Sequence, residues 1–259
     1  MKTEVVMKKL DTVIRGNTEI ELCRSEIPGA RPIYHTLLKG NTLELDGSIG
    51  CYRIFILLCG ETVFSQSGAE HRFDCRTLFI PSPDKSLLLS AATDTALLEI
   101  QWDIASEDEA LIREYRTEFP IIQKYSESIQ YTDPNKSEKT ISRMMVPQRV
   151  LPRFSIGSVE SYGYDLVRSH SHPMLDQFFF SFPENDMNVL INGEPIHMEG
   201  NVILHIPLGA DHGVEVEKGK HMHYMWIDFL PDNALGLKRL DERHHVTGTM
   251  RSFDAEKQA

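Results

Sequence analysis

Three histidines and one glutamine in the second half of the chain have the types and spacing of metal ligands. His170 and His172 are two residues apart, so both imidazoles leave the same face of an extended strand. Gln177 follows five residues after His172, which lets the chain turn once and return an amide oxygen as a third donor. His212 follows the turn at residues 207–209 and supplies a fourth donor. This set suits zinc, iron, manganese or nickel, and it predicts one divalent metal ion of undetermined identity.

The ligand set also indicates the kind of chemistry. Three neutral imidazoles and one neutral amide leave the full charge on a divalent ion, whereas a carboxylate would cancel part of that charge. A less neutralised ion polarises a bound carbonyl or hydroxyl group more strongly, which favours Lewis-acid chemistry on an oxygenated substrate. Redox chemistry with oxygen stays open as an alternative.

The full pattern, H-x-H-x4-Q followed by G-x6-P-x-G-x2-H, resembles the two motifs of the cupin superfamily. Cupins are small β-barrels that hold a divalent metal at their centre, usually with Glu where this chain has Gln177. The version with three His and one Gln is similar to cupins that linearise unsaturated sugar acids and to cupins that act on aromatic polyketides. The resemblance implies a metal-dependent enzyme with isomerase or lyase chemistry on a sugar or sugar acid. A non-catalytic, metal-assisted carbohydrate or small-molecule binding protein and a metal-dependent dioxygenase are the alternatives.

Residues near the motif are candidates for contacts with a substrate. Arg168 lies two residues before His170 and shares its parity on an extended strand, so it could pair with an anionic substrate near the metal; the alternative is an exposed arginine at the end of the strand. Phe179 shares the parity of Gln177 and is predicted to form a pocket wall. His205, between two apolar residues, is a further candidate for the pocket.

The strand predicted at residues 221–229 must turn one of its two faces to the barrel interior. Alternation places His221 and His223 on one face and Tyr224 and Trp226 on the other, and the sequence leaves the choice open. We therefore keep His223 and Tyr224 as catalytic candidates for proton transfer. Trp226 is a candidate for substrate binding.

An internal repeat predicts the fold. Short strand-like runs alternate with turn formers along the chain, which is typical of all-β proteins. Shifting the sequence by 126 residues places 78–81 (Leu-Phe-Ile-Pro) on 204–207 (Leu-His-Ile-Pro), and further runs match at a similar offset. We predict an all-β chain with two cupin-like barrels of the double-stranded β-helix, or jelly-roll, type. The predicted parts are an N-terminal barrel (1–105), a helical linker (106–138), a C-terminal metal-binding barrel (139–231) and a polar tail (232–259).

The first copy does not repeat the ligand set. The same shift aligns the four ligand positions with Glu44, Asp46, Cys51 and Ser86. No histidine remains among them, so we expect the first barrel to lack a metal site and to serve as a scaffold or a surface for pairing.

Composition limits the partners of the protein. The formal net charge of −11 at pH 7 opposes binding to nucleic acid. No apolar run is long enough to cross a membrane, and the first residues lack the apolar core of a secretory signal. The four cysteines form no C-x2-C pair and are expected to be buried free thiols in a reducing compartment. We therefore expect a cytoplasmic protein with a small-molecule substrate, no nucleic-acid or membrane partner, and a homodimeric state.

Overall fold

The chain divides into two units, each with its own core. The computed structural model describes residues 5–74 and 76–242, and the backbone of 245–246. The first unit is Leu10–Glu127, and the second joins the described residues up to Lys9 with those from Ser128 onward. Neither helix in this part of the chain is long and apolar enough to span a membrane.

The first unit consists of two antiparallel sheets. Its strands are β2 (Thr18–Glu21), β3 (Ala30–Leu37), β4 (Thr42–Leu45), β5 (Cys51–Cys59), β6 (Thr62–Gln66), β7 (Ala69–Phe73), β8 (Thr77–Ile80), β9 (Leu87–Ala91), β10 (Thr95–Asp103) and β11 (Ile121–Lys124). Helix α1 (Asp108–Tyr115) and a 3-10 turn (Tyr125–Glu127) complete it. One sheet has the order β11-β8-β5-β10-β3-β2 and the other the order β4-β9-β6-β7.

The second unit repeats this arrangement. Its strands are β1 (Met7–Lys9), β12 (Ile129–Thr132), β13 (Ile141–Leu151), β14 (Phe154–Tyr162), β15 (Asp165–Ser171), β16 (Asp176–Ser181), β17 (Asp186–Ile191), β18 (Glu194–Glu199), β19 (Val202–Ile206), β20 (Asp211–Val216), β21 (His221–Phe229) and β22 (His245–Val246). Helix α2 spans Asn233–Asp241, and the Asp232 side chain accepts a hydrogen bond from the Leu235 backbone at its start. The sheet orders are β1-β19-β16-β21-β14-β13-β12-β22 and β15-β20-β17-β18.

The strand orders show that the two units share one topology. The series β8-β5-β10-β3 in the first unit corresponds to β19-β16-β21-β14 in the second, and β4-β9-β6-β7 corresponds to β15-β20-β17-β18. In each unit, the large and small sheets contribute apolar side chains to one common core. The sheets therefore pack face to face, as in a jelly-roll barrel. The predicted all-β doubled fold is confirmed.

The extra edge strands come from unexpected parts of the chain. Strand β1 pairs with β19 in the second unit, and the backbone N–H of His205 donates to the Val6 carbonyl oxygen at 2.9 Å. Strand β11, within the segment predicted as a linker, pairs with β8 in the first unit. Segment 106–138 thus contains one helix and two strands, β11 in the first unit and β12 in the second.

The cysteines of the first unit are free where the structure describes them. Cys23 and Cys51 are buried, as expected, and burial raises the pKa of the Cys23 thiol to about 11. Cys59 is exposed, so the expectation of burial is wrong there. It is the last residue of β5 and precedes the Gly60 turn, which lies at the surface. Cys75 lies outside the described residues.

Candidate metal centre

Three imidazoles meet in the second unit. The ring centroids of His170, His172 and His212 are 4.7, 4.9 and 5.4 Å apart in pairs. One nitrogen from each ring lies within 4.8 Å of the others, which is close enough for all three to bind one ion. The sequence predicted this convergence from two separate motifs.

Strand pairing brings the two motifs together. His170 lies near the end of β15 and pairs directly with His212 on β20. The register of this ladder shifts between Val167 and His170, as in a β-bulge. The irregularity re-aims the last residues of β15, so that His170 opposes His212 across the ladder.

Hydrogen bonds orient two of the rings for metal binding. Nδ1 of His170 lies 2.6 Å from the Arg168 carbonyl oxygen, and Nδ1 of His212 lies 3.1 Å from the Ala210 carbonyl oxygen. Because a carbonyl oxygen can only accept, each Nδ1 carries the proton and each Nε2 carries the lone pair. Metal-binding histidines are usually held in this way. The two rings therefore fit the role of neutral ligands.

Gln177 lies in the same cavity with its amide group fixed. Its Nε2 donates to Oδ1 of Asp228 at 2.6 Å, across the ladder between β16 and β21. With the amide nitrogen held by a carboxylate, the amide oxygen is the atom suited to a cation. The donor set of three imidazoles and one amide oxygen therefore fits a divalent metal of the zinc, iron, manganese or nickel type.

The cavity around the histidines is built from both sheets of the second unit. Its lining comprises Tyr131, Asp133, Lys136, Val167, His170, His172, Gln177, Phe179, His212, Gly213, Val214, Tyr224, Trp226, Asp228 and Leu240. The predicted substrate-binding residues Phe179 and Trp226 are among them, and so is the catalytic candidate Tyr224. The ring centroids of Phe179 and His212 are 5.8 Å apart.

Three predicted site residues do not line this cavity. Arg168 is exposed and lines a different pocket, with Lys139 and Tyr164. The register shift after Val167 breaks the strict alternation of β15, so Arg168 and His170 do not share a face. Shared parity on a regular strand would have turned Arg168 toward the histidines, and the exposed alternative is the one that agrees with its position in the structure.

His205 and His223 lie on the faces of their strands that point away from the cavity. His205 packs against Phe178 and lies 3.7 Å from a carboxylate oxygen of Asp176, while its neighbours Leu204 and Ile206 enter the core. Nδ1 of His223 lies 2.6 Å from Oε1 of Glu184. The even-numbered residues of β21 thus face the interior, and the side chain of His223 lies on the opposite face of the strand, away from this cavity.

Lys136 and Asp228 also line the cavity, and neither was predicted from the sequence. The ammonium group of Lys136 donates to the Tyr131 hydroxyl at 2.7 Å and lies 4.5 Å from the centre of its ring. Lys136 lies in a loop, where no periodic signal points to it. Asp228 shares the parity of Trp226 on β21, and that signal could have identified it once the interior face was known.

Burial changes the pKa of these two groups in opposite directions. It lowers the pKa of Lys136 to about 8, although the carboxylates of Asp133 and Asp228 act to raise it. It raises the pKa of Asp228 to about 7, although the Gln177 hydrogen bond and the Lys136 charge act to lower it. Burial also raises the pKa of the Tyr224 phenol, which therefore stays neutral and can donate a hydrogen bond.

Comparisons with known proteins identify the fold. No protein-family model and no curated protein matches this chain. Among solved structures, a cupin 2 conserved barrel domain protein from Leptotrichia buccalis has a TM-score of 0.62 at 13% identity, covering 88% of this chain and 98% of its own. A putative glyoxylate-induced protein from Pseudomonas aeruginosa has a TM-score of 0.70 at 9% identity, covering 87% of this chain and 84% of its own.

An enzyme is also among the similar structures. Oxalate decarboxylase from Lactobacillus farciminis, solved as a formate complex, has a TM-score of 0.67 at 10% identity, covering 89% of this chain and 88% of its own. These likenesses extend over most of each chain, and at such low identity they establish the fold alone. The chain therefore has the cupin fold, with two barrels of this fold in one polypeptide.

Proposed function

We propose that the second barrel binds one divalent metal ion and that the protein is a metal-dependent enzyme acting on a small oxygenated acid. The observation that carries the proposal is the convergence of His170, His172 and His212 within 4.8 Å, in a cavity that also contains Gln177. A bound divalent ion would supply Lewis acidity toward carbonyl and hydroxyl oxygens of the substrate.

Lys136 supports an anionic substrate. Its ammonium group is the cationic end of a side chain that lines the same cavity as the three imidazoles. A carboxylate of a sugar acid or keto acid would pair with this group and hold the rest of the molecule toward the histidines. The proposed substrate class is therefore a uronate or a keto acid.

Asp228 and Tyr224 are the side chains we assign to proton handling. Both lie on the interior face of β21 and line the cavity. Asp228 is positioned by Gln177 and is the group we propose to accept a proton from the carbon beside a substrate carbonyl. The neutral Tyr224 hydroxyl is placed to donate a hydrogen bond to a developing negative charge. This assignment replaces His223, and it supports isomerase or lyase chemistry.

The likeness to oxalate decarboxylases bears on the choice of candidate ions and substrates. One structure with this fold is described as containing Mn(II) centres in oxalate decarboxylase of Bacillus subtilis, at a TM-score of 0.64. Manganese is already among the ions that the donor set suits, and this likeness adds small dicarboxylates to the candidate substrates.

The first test measures the metal. Elemental analysis of tag-free protein should find a bound divalent metal, and His170→Ala and His212→Ala should each lose about one ion per chain relative to the unaltered protein. Far-UV circular dichroism checks that the variants are folded. Equal metal content in all three proteins contradicts the proposed centre.

The second test measures turnover. An NMR screen of keto sugars, uronates and small dicarboxylates in deuterated water should show exchange at the carbon beside a carbonyl, or product formation, for one compound class. Asp228→Asn should lower the rate at least a hundredfold while retaining the metal. Tight binding without exchange would instead indicate a binding protein, and oxygen consumption would indicate a dioxygenase.

A further inference from the structure

A second group of metal-ligand side chains lies on the other face of the β14–β21 ladder. Glu160, His221 and His223 each offer one atom within 4.8 Å of the others. None of them lines the cavity described above. Their types, two imidazoles and one carboxylate, form a common set of three protein ligands for a divalent metal.

Strand geometry explains why the three side chains converge. His221 and His223 are two apart on β21, so they leave the same face of the strand. Glu160 on β14 is the direct cross-strand partner of His223. The two imidazole rings stack with their centroids 5.5 Å apart, and Oε1 of Glu160 lies 3.5 Å from Nε2 of His221.

Neighbouring groups orient the candidate ligands. Nδ1 of His223 is 2.6 Å from Oε1 of Glu184, so the Nδ1–H donates a hydrogen bond to this carboxylate and the lone pair is on Nε2. A carboxylate behind a histidine is a frequent arrangement in zinc sites. Arg143 donates to Oε2 of Glu160 at 2.8 Å, which leaves Oε1 as the oxygen directed to the imidazoles.

The group lies near enough to the surface for an ion to enter. The side chains of Glu160 and His221 are 13% and 14% exposed, whereas that of His223 is 1% exposed. An ion would therefore enter past Glu160 and His221 and meet His223 at the buried end of the group.

We propose that Glu160, His221 and His223 form a second divalent-metal site, separate from the cavity and suited to zinc or a similar ion. The carboxylate binds through one oxygen, because Arg143 holds the other. Three protein ligands leave at least one coordination position for water. An ion there joins β14 to β21, the same strands whose opposite face carries Gly157, Tyr224 and Trp226, and so stabilises the wall of the cavity from outside.

The test isolates this site by removing the first one. In the His170→Ala/His212→Ala double variant, titration with zinc chloride alone, followed by calorimetry and by competition with a chromogenic chelator, should find one zinc ion per chain. Adding His223→Ala or Glu160→Gln should weaken this binding at least tenfold. His197→Ala is the matched control, because His197 is an exposed imidazole near a carboxylate, 3.7 Å from Asp186, on another strand.

Several outcomes would overturn the proposal. If the double variant binds no stoichiometric zinc, Glu160, His221 and His223 form an ion-pair network and not a metal site. If Glu160→Gln, which replaces the carboxylate by an amide of nearly the same shape, leaves the zinc affinity unchanged, the proposed site is likewise contradicted. Should His223→Ala fail to fold, Glu160→Gln and His221→Asn carry the test. The difference in metal content between the unaltered protein and the double variant measures the cavity site separately. The two proposed sites can therefore be contradicted independently of each other.

Discussion

At the level of single residues, Lys136 supplies a positive charge to the lining of the cavity. Its ammonium group is held by the Tyr131 hydroxyl at 2.7 Å, and burial lowers its pKa to about 8. The side chain is therefore largely cationic at neutral pH and becomes neutral as the pH rises through 8. The carboxylate of a sugar acid stays ionised throughout this range. The attraction between the two groups should consequently be present below pH 8 and lost above it.

We expect Lys136→Met to bind the uronate or keto acid found in the exchange screen about tenfold or more weakly at pH 7, since charge-assisted hydrogen bonds contribute about 1.5–3 kcal/mol. At pH 9.5 the variant and the unaltered protein should bind it nearly equally. Calorimetric titration at both pH values measures the dissociation constants. Lys139→Met, which removes an exposed lysine from the same loop, should leave them unchanged. An equal deficit of Lys136→Met at both pH values would contradict this role.

At the level of elements, strands β14 and β21 shape the cavity. Gly157 on β14 lets the backbone of this strand lie close to the Arg143 carbonyl oxygen and to the Trp226 indole ring. A Cβ atom at this glycine would lie 2.2 Å from the Arg143 carbonyl oxygen and 2.3 Å from the Trp226 indole ring. The backbone of β14 therefore supports one side of an aromatic residue whose other side lines the cavity. Only glycine at this position leaves space for Trp226 where the structure has it.

Gly157→Ala should lower the free energy of unfolding by about 2 kcal/mol or more, because a buried methyl group must displace backbone or the indole ring. The fluorescence of Trp226 should change in the folded variant. Gly16→Ala is the control, since a Cβ there meets no atom within 4 Å. Urea unfolding at neutral pH measures both proteins, and equal stability of the two variants would show that β14 yields to the extra methyl at little cost.

At the level of the whole molecule, the two barrels differ in the side chains at their potential metal-ligand positions. The repeat aligns the ligand positions of the second barrel with Glu44, Asp46, Cys51 and Ser86 of the first. Glu44, Asp46 and Ser86 are exposed, and the buried Cys51 thiol lies 3.2 Å from the Ser48 hydroxyl. Within the described residues, both groups of potential metal ligands belong to the second unit.

The Glu44→Ala/Asp46→Ala double variant should accordingly keep the full metal content and turnover of the unaltered protein. Exposed carboxylates that do not converge with other donors have little affinity for a transition metal. Elemental analysis alongside His170→Ala compares the two barrels directly. Loss of an ion from the double variant would place a metal site in the first barrel.

The sequence by itself determined the doubled all-β architecture and the separate motifs of the candidate centre. Alternating apolar residues and regular turns predict strands from neighbours along the chain. An internal repeat predicts two copies of one barrel without any knowledge of packing. The spacing of His170 and His172 places them on one face of a strand, which is also a local property. These features depend on neighbours along the chain, so they are visible in the residues alone.

The tertiary structure alone decided which face of each strand meets the cavity. Alternation offers two equivalent faces for β21, and packing between the sheets chose Tyr224, Trp226 and Asp228 over His223. The register shift in β15 separated Arg168 from His170, and a loop brought Lys136 beside Tyr131. The pairing of β1 with β19 joined residues almost 200 positions apart. Contacts of this kind depend on the order of strands in space, which a one-dimensional pattern does not contain.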